Sequence, residues 1–299
     1  MDKIFKIVGL GEIVLDIYPD GRFVGGGPAN VAQHIHQMGH AGIVASRVGR
    51  DPSGEYLIEE LERRGMDTRS IQIDENHPTA AVTVSLNERG VPRFTCNCNA
   101  AFEYMKYDES FSRLANSVHS VVFSALAQRN SISYRTIQTF LSDATQAFKV
   151  FDLNLHQWTS EWTATIVEKS LQITDAVKFN ESEFRLLKDA YRCERSADED
   201  VMAWLADEFS LKIVAFTRAD KGCLLYSNAH YVDVPAFKIT PLDVTGAGDA
   251  FVAAMVVRYL EGHTLQEIAE AGNGLGAYVS MHRGAVPEYR GWPDMARFF

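Results

Sequence analysis

The stretch Asp243-Val244-Thr245-Gly246-Ala247-Gly248-Asp249-Ala250-Phe251 decides how this chain reads. Gly246 and Gly248 permit a tight turn and a close approach of a ligand to the backbone. The run after it, Phe251-Val252-Ala253-Ala254-Met255-Val256-Val257, is apolar throughout. It predicts a buried helix over residues 248–261. A glycine turn that opens a buried helix leaves the first N–H groups facing whatever fills the turn. That is an anion site, strengthened by the helix dipole. Asp249 stands out within it. A carboxylate there either caps the helix or takes a proton from an attacking hydroxyl. The segment is not a P-loop, and Gly9-Leu10-Gly11 lacks the third glycine of a dinucleotide fingerprint.

Working outward, apolar segments over residues 4–9 and 43–48 read as buried strands. Between them, Gly25-Gly26-Gly27-Pro28-Ala29-Asn30 leads into a helix over residues 31–38. Pro28 suits a first helical turn, and Gly39 suits the stop. Residues 54–64 form an amphipathic helix stopped by Gly65. The pattern changes at Ile71-Gln72-Ile73, followed by alternation over residues 81–86, a turn at Asn87-Glu88-Arg89-Gly90, and Arg93-Phe94-Thr95. This reads as a hairpin-rich insertion. Strands over residues 118–123, 149–153, 176–179, 212–217 and 231–234 then alternate with helices, including 131–147, 198–208 and 265–282. Strands alternating with helices imply a mostly parallel sheet covered on both faces. The expected class is α/β, one large domain over residues 1–299 with a small β appendage.

The 299 residues are 46% hydrophobic and 23% charged, enough for a core without disulfides or structural metal. Lys and Arg total 29 against 39 Asp and Glu, a formal charge of −10. Such a surface repels phosphodiester backbones, so no nucleic-acid partner is expected. The His-bearing stretch Gln33-His34-Ile35-His36 reads as one exposed helix face. The longest apolar run, residues 250–257, is far short of the ~20 residues that span a bilayer. The first residues show no signal-peptide core. Cys96, Cys98, Cys193 and Cys223 read as reduced thiols of a cytoplasmic protein, since nothing completes a zinc site around the Cys-x-Cys pair.

Two segments together carry a family resemblance. Residues 243–251 resemble the C-terminal signature of the PfkB, ribokinase-like, family of sugar kinases. Residues 25–30 resemble its N-terminal signature. Val48-Gly49-Arg50-Asp51-Pro52-Ser53-Gly54, Asn180-Glu181-Ser182-Glu183 and Thr217-Arg218-Ala219-Asp220-Lys221-Gly222 follow in the family's order. The likeness runs from about residue 6 to residue 285. It implies a three-layer α/β/α domain whose small β-sheet lid is formed by about residues 13–25 and 71–100. It also implies a homodimer through that lid.

The resemblance further implies roles for particular residues. Asp249 would deprotonate the acceptor hydroxyl, and Gly246, Ala247 and Gly248 would form an anion hole. Asp16, Gly26, Gly27 and Asn30 would contact the sugar, with Asn99 and Asn154. Asp16 also reads as a turn residue before Pro19. Asn180, Thr217, Gly222, Gly246, Gly248 and Asn273 would line ATP. Asn180 and Glu183 would organise Mg²⁺, partly through water. Read alone, that pair is a helix cap, and Asn273 a solvated helix residue. Asp243, Thr245, Ser280, Arg283 and Ala285 would hold a monovalent cation such as K⁺.

Gly11-Glu12, Gly27-Pro28-Ala29-Asn30-Val31-Ala32, and Asp152-Leu153-Asn154-Leu155 with Trp158 resemble fructokinases and 2-keto-3-deoxygluconate kinases most. Two departures bear on the acceptor. His156 and Cys98 stand where these relatives often carry Arg, whose fork suits a carboxylate. Asn97 and Asn99 offer amides instead. The expected activity is transfer of the γ-phosphoryl group of ATP to a primary hydroxyl of a small sugar. A nucleoside acceptor would instead use Phe94, Phe102 and Tyr104 as an aromatic pocket. A third reading is a sugar or nucleotide sensor without catalysis.

Overall fold

The computed structural model describes residues 3–18, 21–86, 92–96, 99–155 and 161–292. The turn at residues 87–90, Asn97, Cys98, His156 and Trp158 lie outside these. β1 (Lys6–Leu10) starts the large sheet. β2 (Val14–Tyr18) and β3 (Gly21–Gly25) leave it, and α1 (Gly27–Gln37) and β4 (Ala41–Gly49) return to it. Then come α2 (Pro52–Arg63), β5 (Ile71–Asp74), β6 (Ala80–Leu86) and β7 (Pro92–Cys96). The next stretch holds α3 (Glu109–Ala115), β8 (Ser120–Ser124), α4 (Ser131–Asp143), β9 (Phe148–Asp152), α5 (Glu161–Ile173) and β10 (Ala176–Asn180). α6 (Glu181–Ala190), α7 (Asp198–Phe209), β11 (Ile213–Thr217), β12 (Cys223–Ser227) and β13 (His230–Val234) follow. α8 (Ala247–Glu261) and α9 (Leu265–Ser280) end the described fold.

The large sheet has nine strands in the order β13-β12-β11-β10-β9-β8-β1-β4-β5. It is parallel from β5 to β11; β12 and β13 are antiparallel. Strand alternation divides the core between two faces. Val121, Phe123, Val177 and Phe179 pack on one side with Phe140, Val167, Leu187 and Leu205 of α4 to α7. Val122, Val150 and Ala176 pack on the other with Ile35 of α1, residues 250–257 of α8, and Leu275 of α9. The result is three layers. From residue 250 to residue 257, α8 is apolar on every side because it is buried on every side between this sheet and its neighbours.

β1 sits between β4 and β8, so the chain steps one way from β1 and later fills the other side. That reversal opens a crevice at the carboxyl ends of β1 and β8. A separate four-stranded sheet, β3-β2-β6-β7, has β2 parallel to β6.

Three expectations change here. Ile71–Asp74 belongs to the large sheet, paired in parallel with β4 from Ser46↔Ile71 to Gly49↔Asp74. Ile71 packs beside Val44, Val48 and Leu57, and that contact draws the strand out of the insertion. The second segment of the small sheet therefore begins at Ala80. The stretch 33–36 is no exposed face: Gln33, His34 and Ile35 are fully buried. Both His34 nitrogens are satisfied, Nδ1 by the Tyr289 hydroxyl at 2.7 Å and Nε2 by the Ala285 carbonyl at 3.1 Å. Burial holds that imidazole down at about pKa 4 and therefore neutral.

Candidate active site

The carboxyl ends of five parallel strands deliver polar side chains to one place. Glu12 follows β1, Ser124 closes β8, Asp152 closes β9, Lys178 and Asn180 end β10, and Thr217 ends β11. They face the first turn of α8, which no side chain caps. Ala247 N donates to Val244 O at 3.3 Å and Ala250 N to Gly246 O at 2.9 Å, which leaves the N–H groups of Gly248 and Asp249 to face an anion.

Asp249 lies in that turn. Asn30 Nδ2, from the first turn of α1, donates to Asp249 Oδ2 at 2.8 Å. Asn30 Oδ1 is buried and finds no partner among the described residues. A buried acceptor without a donor is costly unless a ligand supplies one. Burial raises the Asp249 carboxyl to about 7; the charges of Asp152 and Glu12 add to the rise, while Asn30 and Lys178 oppose it. Glu12, 1% exposed, is also raised to about 7, chiefly by burial. It accepts from Ser124 Oγ at 2.7 Å and from Asn154 Nδ2 at 3.4 Å. Gly27 sits at the centre: a Cβ there would lie 3.0 Å from Asn154 Nδ2 and 3.3 Å from both Asp249 Oδ1 and Glu12 Oε1. Gly27, Asn30, Asn154 and Asp249 are thus brought together, and Gly26 immediately precedes α1.

Asp16 projects from β2. Burial first, and Asp243 second, raise its carboxyl to about 7. Asn99 is exposed, with its backbone in the left-handed region at φ 55. The aromatic pocket expected for a nucleoside does not form from the residues described. Phe102 is 1% exposed inside the core, and Tyr104 stacks on His77 at 3.5 Å. Phe94's side chain lies outside the described residues.

Asn180 and Glu183 form the cap of α6. Asn180 Oδ1 accepts from the N–H groups of Ser182 and Glu183, and Asn180 N donates to Glu183 Oε2 at 2.8 Å. Leu155 N donates to Glu183 Oε1 at 2.9 Å. Both carboxylate oxygens are committed to backbone, so a metal would meet Glu183 through water. Among the described residues no cluster of three metal-ligating side chains occurs. Thr217 donates to Phe179 O at 3.3 Å, and Gly222 backs onto Val234. Asn273 is not a solvated helix residue. Its amide donates to the Val234 and Pro235 carbonyls at 3.0 and 3.2 Å, tying α9 to the end of β13.

The proposed cation loop is joined by Asp243, which accepts from Thr245 N and Gly284 N, both at 3.0 Å. Thr245 meets the Tyr18 hydroxyl at 3.4 Å, and Arg283 lies over the Tyr18 ring. Ser280 fits a cation ligand least. Its carbonyl already accepts from Leu242 N and Asp243 N at 2.8 and 3.2 Å.

A family model described as pfkB family carbohydrate kinase matches residues 20–289. The chain belongs to the PfkB family of carbohydrate kinases. The uncharacterized sugar kinase PH1459 of Pyrococcus horikoshii is 30% identical over 304 residues, covering 95% of this chain and 93% of that protein. Its crystal structure matches with a TM-score of 0.83 over 98% of both chains. The fructokinase of Escherichia coli is 30% identical over 261 residues, 84% of this chain and 83% of that one. A double mutant of the Vibrio cholerae fructokinase, solved with fructose, ADP and potassium, is 25% identical with a TM-score of 0.82 over 100% and 99% of the chains.

The PfkB assignment makes this chain a sugar phosphotransferase with the ribokinase-like α/β fold. Four polar residues of its crevice were given no role from sequence: Glu12, Ser124, Asp152 and Lys178. Lys178 had left a signal, a charge inside the apolar strand Ala176-Val177-Lys178-Phe179-Asn180. Lys178 and Asp152 pair at 3.1 Å with side chains 7% and 8% exposed. Burial pulls the Lys178 ammonium down, but Asp152, Glu183 and Asp249 outweigh it and hold it above its ordinary range.

Proposed function

We propose that this PfkB kinase transfers the γ-phosphoryl group of ATP to a primary hydroxyl of a fructose-like sugar. The observation that carries the reading is the Asn30–Asp249 pair at the mouth of the uncapped turn. Asn30 holds one Asp249 oxygen and keeps its own Oδ1 free for a sugar hydroxyl. Asp249 then receives the proton of the attacking hydroxyl. The acceptor oxygen bonds to the γ-phosphorus, the bond from that phosphorus to the β–γ bridging oxygen breaks, and its electron pair leaves on ADP. Gly246, Ala247 and Gly248 stabilise the group in transit through backbone N–H groups. Asp16, Gly26, Gly27 and Asn154 hold the sugar; Asn180, Thr217, Gly222 and Asn273 border the nucleotide.

Magnesium would neutralise triphosphate charge, held by Asn180 and Glu183 through water. Potassium, present in the Vibrio cholerae relative, would sit beside Asp243, Thr245 and Ala285. The small sheet of β2, β3, β6 and β7 serves as the lid and as the face of a homodimer. No described helix is long and apolar enough to cross a membrane; we assign the enzyme to the cytoplasm.

The test is ADP release from Mg-ATP with fructose, ribose, tagatose, 2-keto-3-deoxygluconate, adenosine and inosine, each with and without K⁺. Fructose or tagatose is expected to give the strongest turnover. Adenosine or inosine as the best acceptor would overturn the sugar assignment. The pH profile gives a second check. Asp249 must be ionised to accept a proton, and its carboxyl stands at about 7 in the free protein. The kcat/KM for sugar is therefore expected to rise with pH up to about 7 and level off above. A flat profile between pH 5.5 and 8 would remove Asp249 from the role of base.

A further inference from the structure

Lys178 places a buried cation at the N-terminus of α8, held there by the carboxylates of Asp152, Glu183 and Asp249. Along β10, Ala176 faces the α8 layer, while Val177 and Phe179 face the other. Lys178 therefore shares the side of Ala176, one pleat nearer the carboxyl end of the strand. Its ammonium ends at the first turn of α8: a Cβ on Gly248 would lie 2.9 Å from Lys178 Nζ. The N-terminus of a helix already carries partial positive charge, so a second positive group there is repelled. Asp152 offsets the repulsion at 3.1 Å. Yet a buried pair that serves packing alone is commonly matched or bettered by apolar side chains of similar volume. The lysine and the absent side chain at residue 248 fit one another for another purpose.

We infer that Lys178 is the charged member of the anion hole. Its fixed ammonium adds a full positive charge, at the back of the turn, to the partial charges of the backbone N–H groups in front. Asp152 orients the ammonium and keeps the buried charge compensated before the phosphoryl group arrives. The assignment rests on the phosphotransfer reading above. It assigns Lys178 an electrostatic role in the step already written and adds no bond to it.

The test separates charge balance from catalysis. Lys178→Met alone leaves Asp152 unpaired and can fail through misfolding. The double variants Lys178→Met/Asp152→Asn and Lys178→Gln/Asp152→Asn remove both charges together, and either one that melts cooperatively serves. Each is expected to bind ADP and sugar as the wild type does, with KM unchanged and kcat lowered about 10²-fold, as for loss of one anion-hole donor. The trapped complex of ADP, aluminium fluoride and sugar, which mimics the group in transit, is expected to weaken by a similar factor. A folded double variant with wild-type kcat and wild-type trapping would overturn the inference and leave Lys178 as the counter-ion of Asp152. Failure of the phosphotransfer reading looks different: the wild type itself would then release no ADP with any acceptor.

Discussion

Asp249→Asn lowers kcat by roughly 10²–10⁴-fold, the range for loss of a positioned general base, while ADP binding is unchanged. The substitution is close to isosteric. The new amide oxygen accepts from Asn30 Nδ2 as the carboxylate does, so the first turns of α1 and α8 stay in register. Instability cannot explain the loss, because the sign runs the other way. Burial raises the folded-state carboxyl to about 7, above its unfolded value near 4. Between those values the folded protein binds more protons than the unfolded chain, so the ionised group costs stability increasingly as pH rises to about 7. A neutral amide removes that cost. The variant is expected to melt higher than the wild type at pH 8 without ligands. Stopped turnover with a raised Tm identifies a group kept for chemistry; retained turnover would reassign the base.

Gly246→Ala is expected to reduce turnover by about 10²–10³-fold by moving the anion-hole donors. Gly246 caps α8 at φ 79. A Cβ there would lie 2.5 Å from Ala285 Cα and 2.6 Å from Ala285 Cβ and O. The Ala285 segment cannot easily retreat, since His34 Nε2 donates to its carbonyl at 3.1 Å. Gly262 is the internal control. It closes the same helix at φ 83, and nothing lies within 4 Å of a Cβ built on it. Gly262→Ala therefore meets only the backbone cost, on the order of 1–2 kcal/mol, and keeps wild-type kcat. Equal kcat in the two variants would show that the Gly246 turn does not position the phosphoryl group.

What could be read from sequence follows from how local each signal is. The turn and α8 announce themselves within residues 246–257, because glycine geometry and an unbroken apolar run need no partner to be recognised. The parallel strands were legible for the same reason. β5 was misplaced because its partner β4 is separated from it by the whole of α2, and three residues give no sign of which sheet will claim them. β2 is short and carries Asp16, so its alternation is faint. The hairpin of β12 and β13 was half seen: Tyr231-Val232-Asp233-Val234 alternates, whereas Cys223-Leu224-Leu225-Tyr226 does not. Lys178 makes sense only beside Asp152, 26 residues earlier and one strand across. His34 looked like surface because its partners, Tyr289 and Ala285, lie more than 250 residues away.

That last separation bears on how the molecule is made. Gln37, at the end of α1, accepts from Tyr289 N and donates to Pro287 O through its side chain, and its carbonyl accepts from Gly291 N. The helix that carries Asn30 thus emerges early from the ribosome, while the segment that seals it follows much later. Until then the His34 and Gln37 side chains lack these hydrogen-bonding partners, although α1 already packs through Ala29, Val31, Ala32 and Ile35. Contacts of such long range form late in folding. A nascent chain ending before residue 285 would contain the small sheet, most of the crevice and α8, yet would leave the His34 and Gln37 side chains of α1 without these partners. Sealing of the helix behind Asn30 is therefore a closing event of synthesis, and chains that stop before residue 285 are expected to be less stable and less active than the whole.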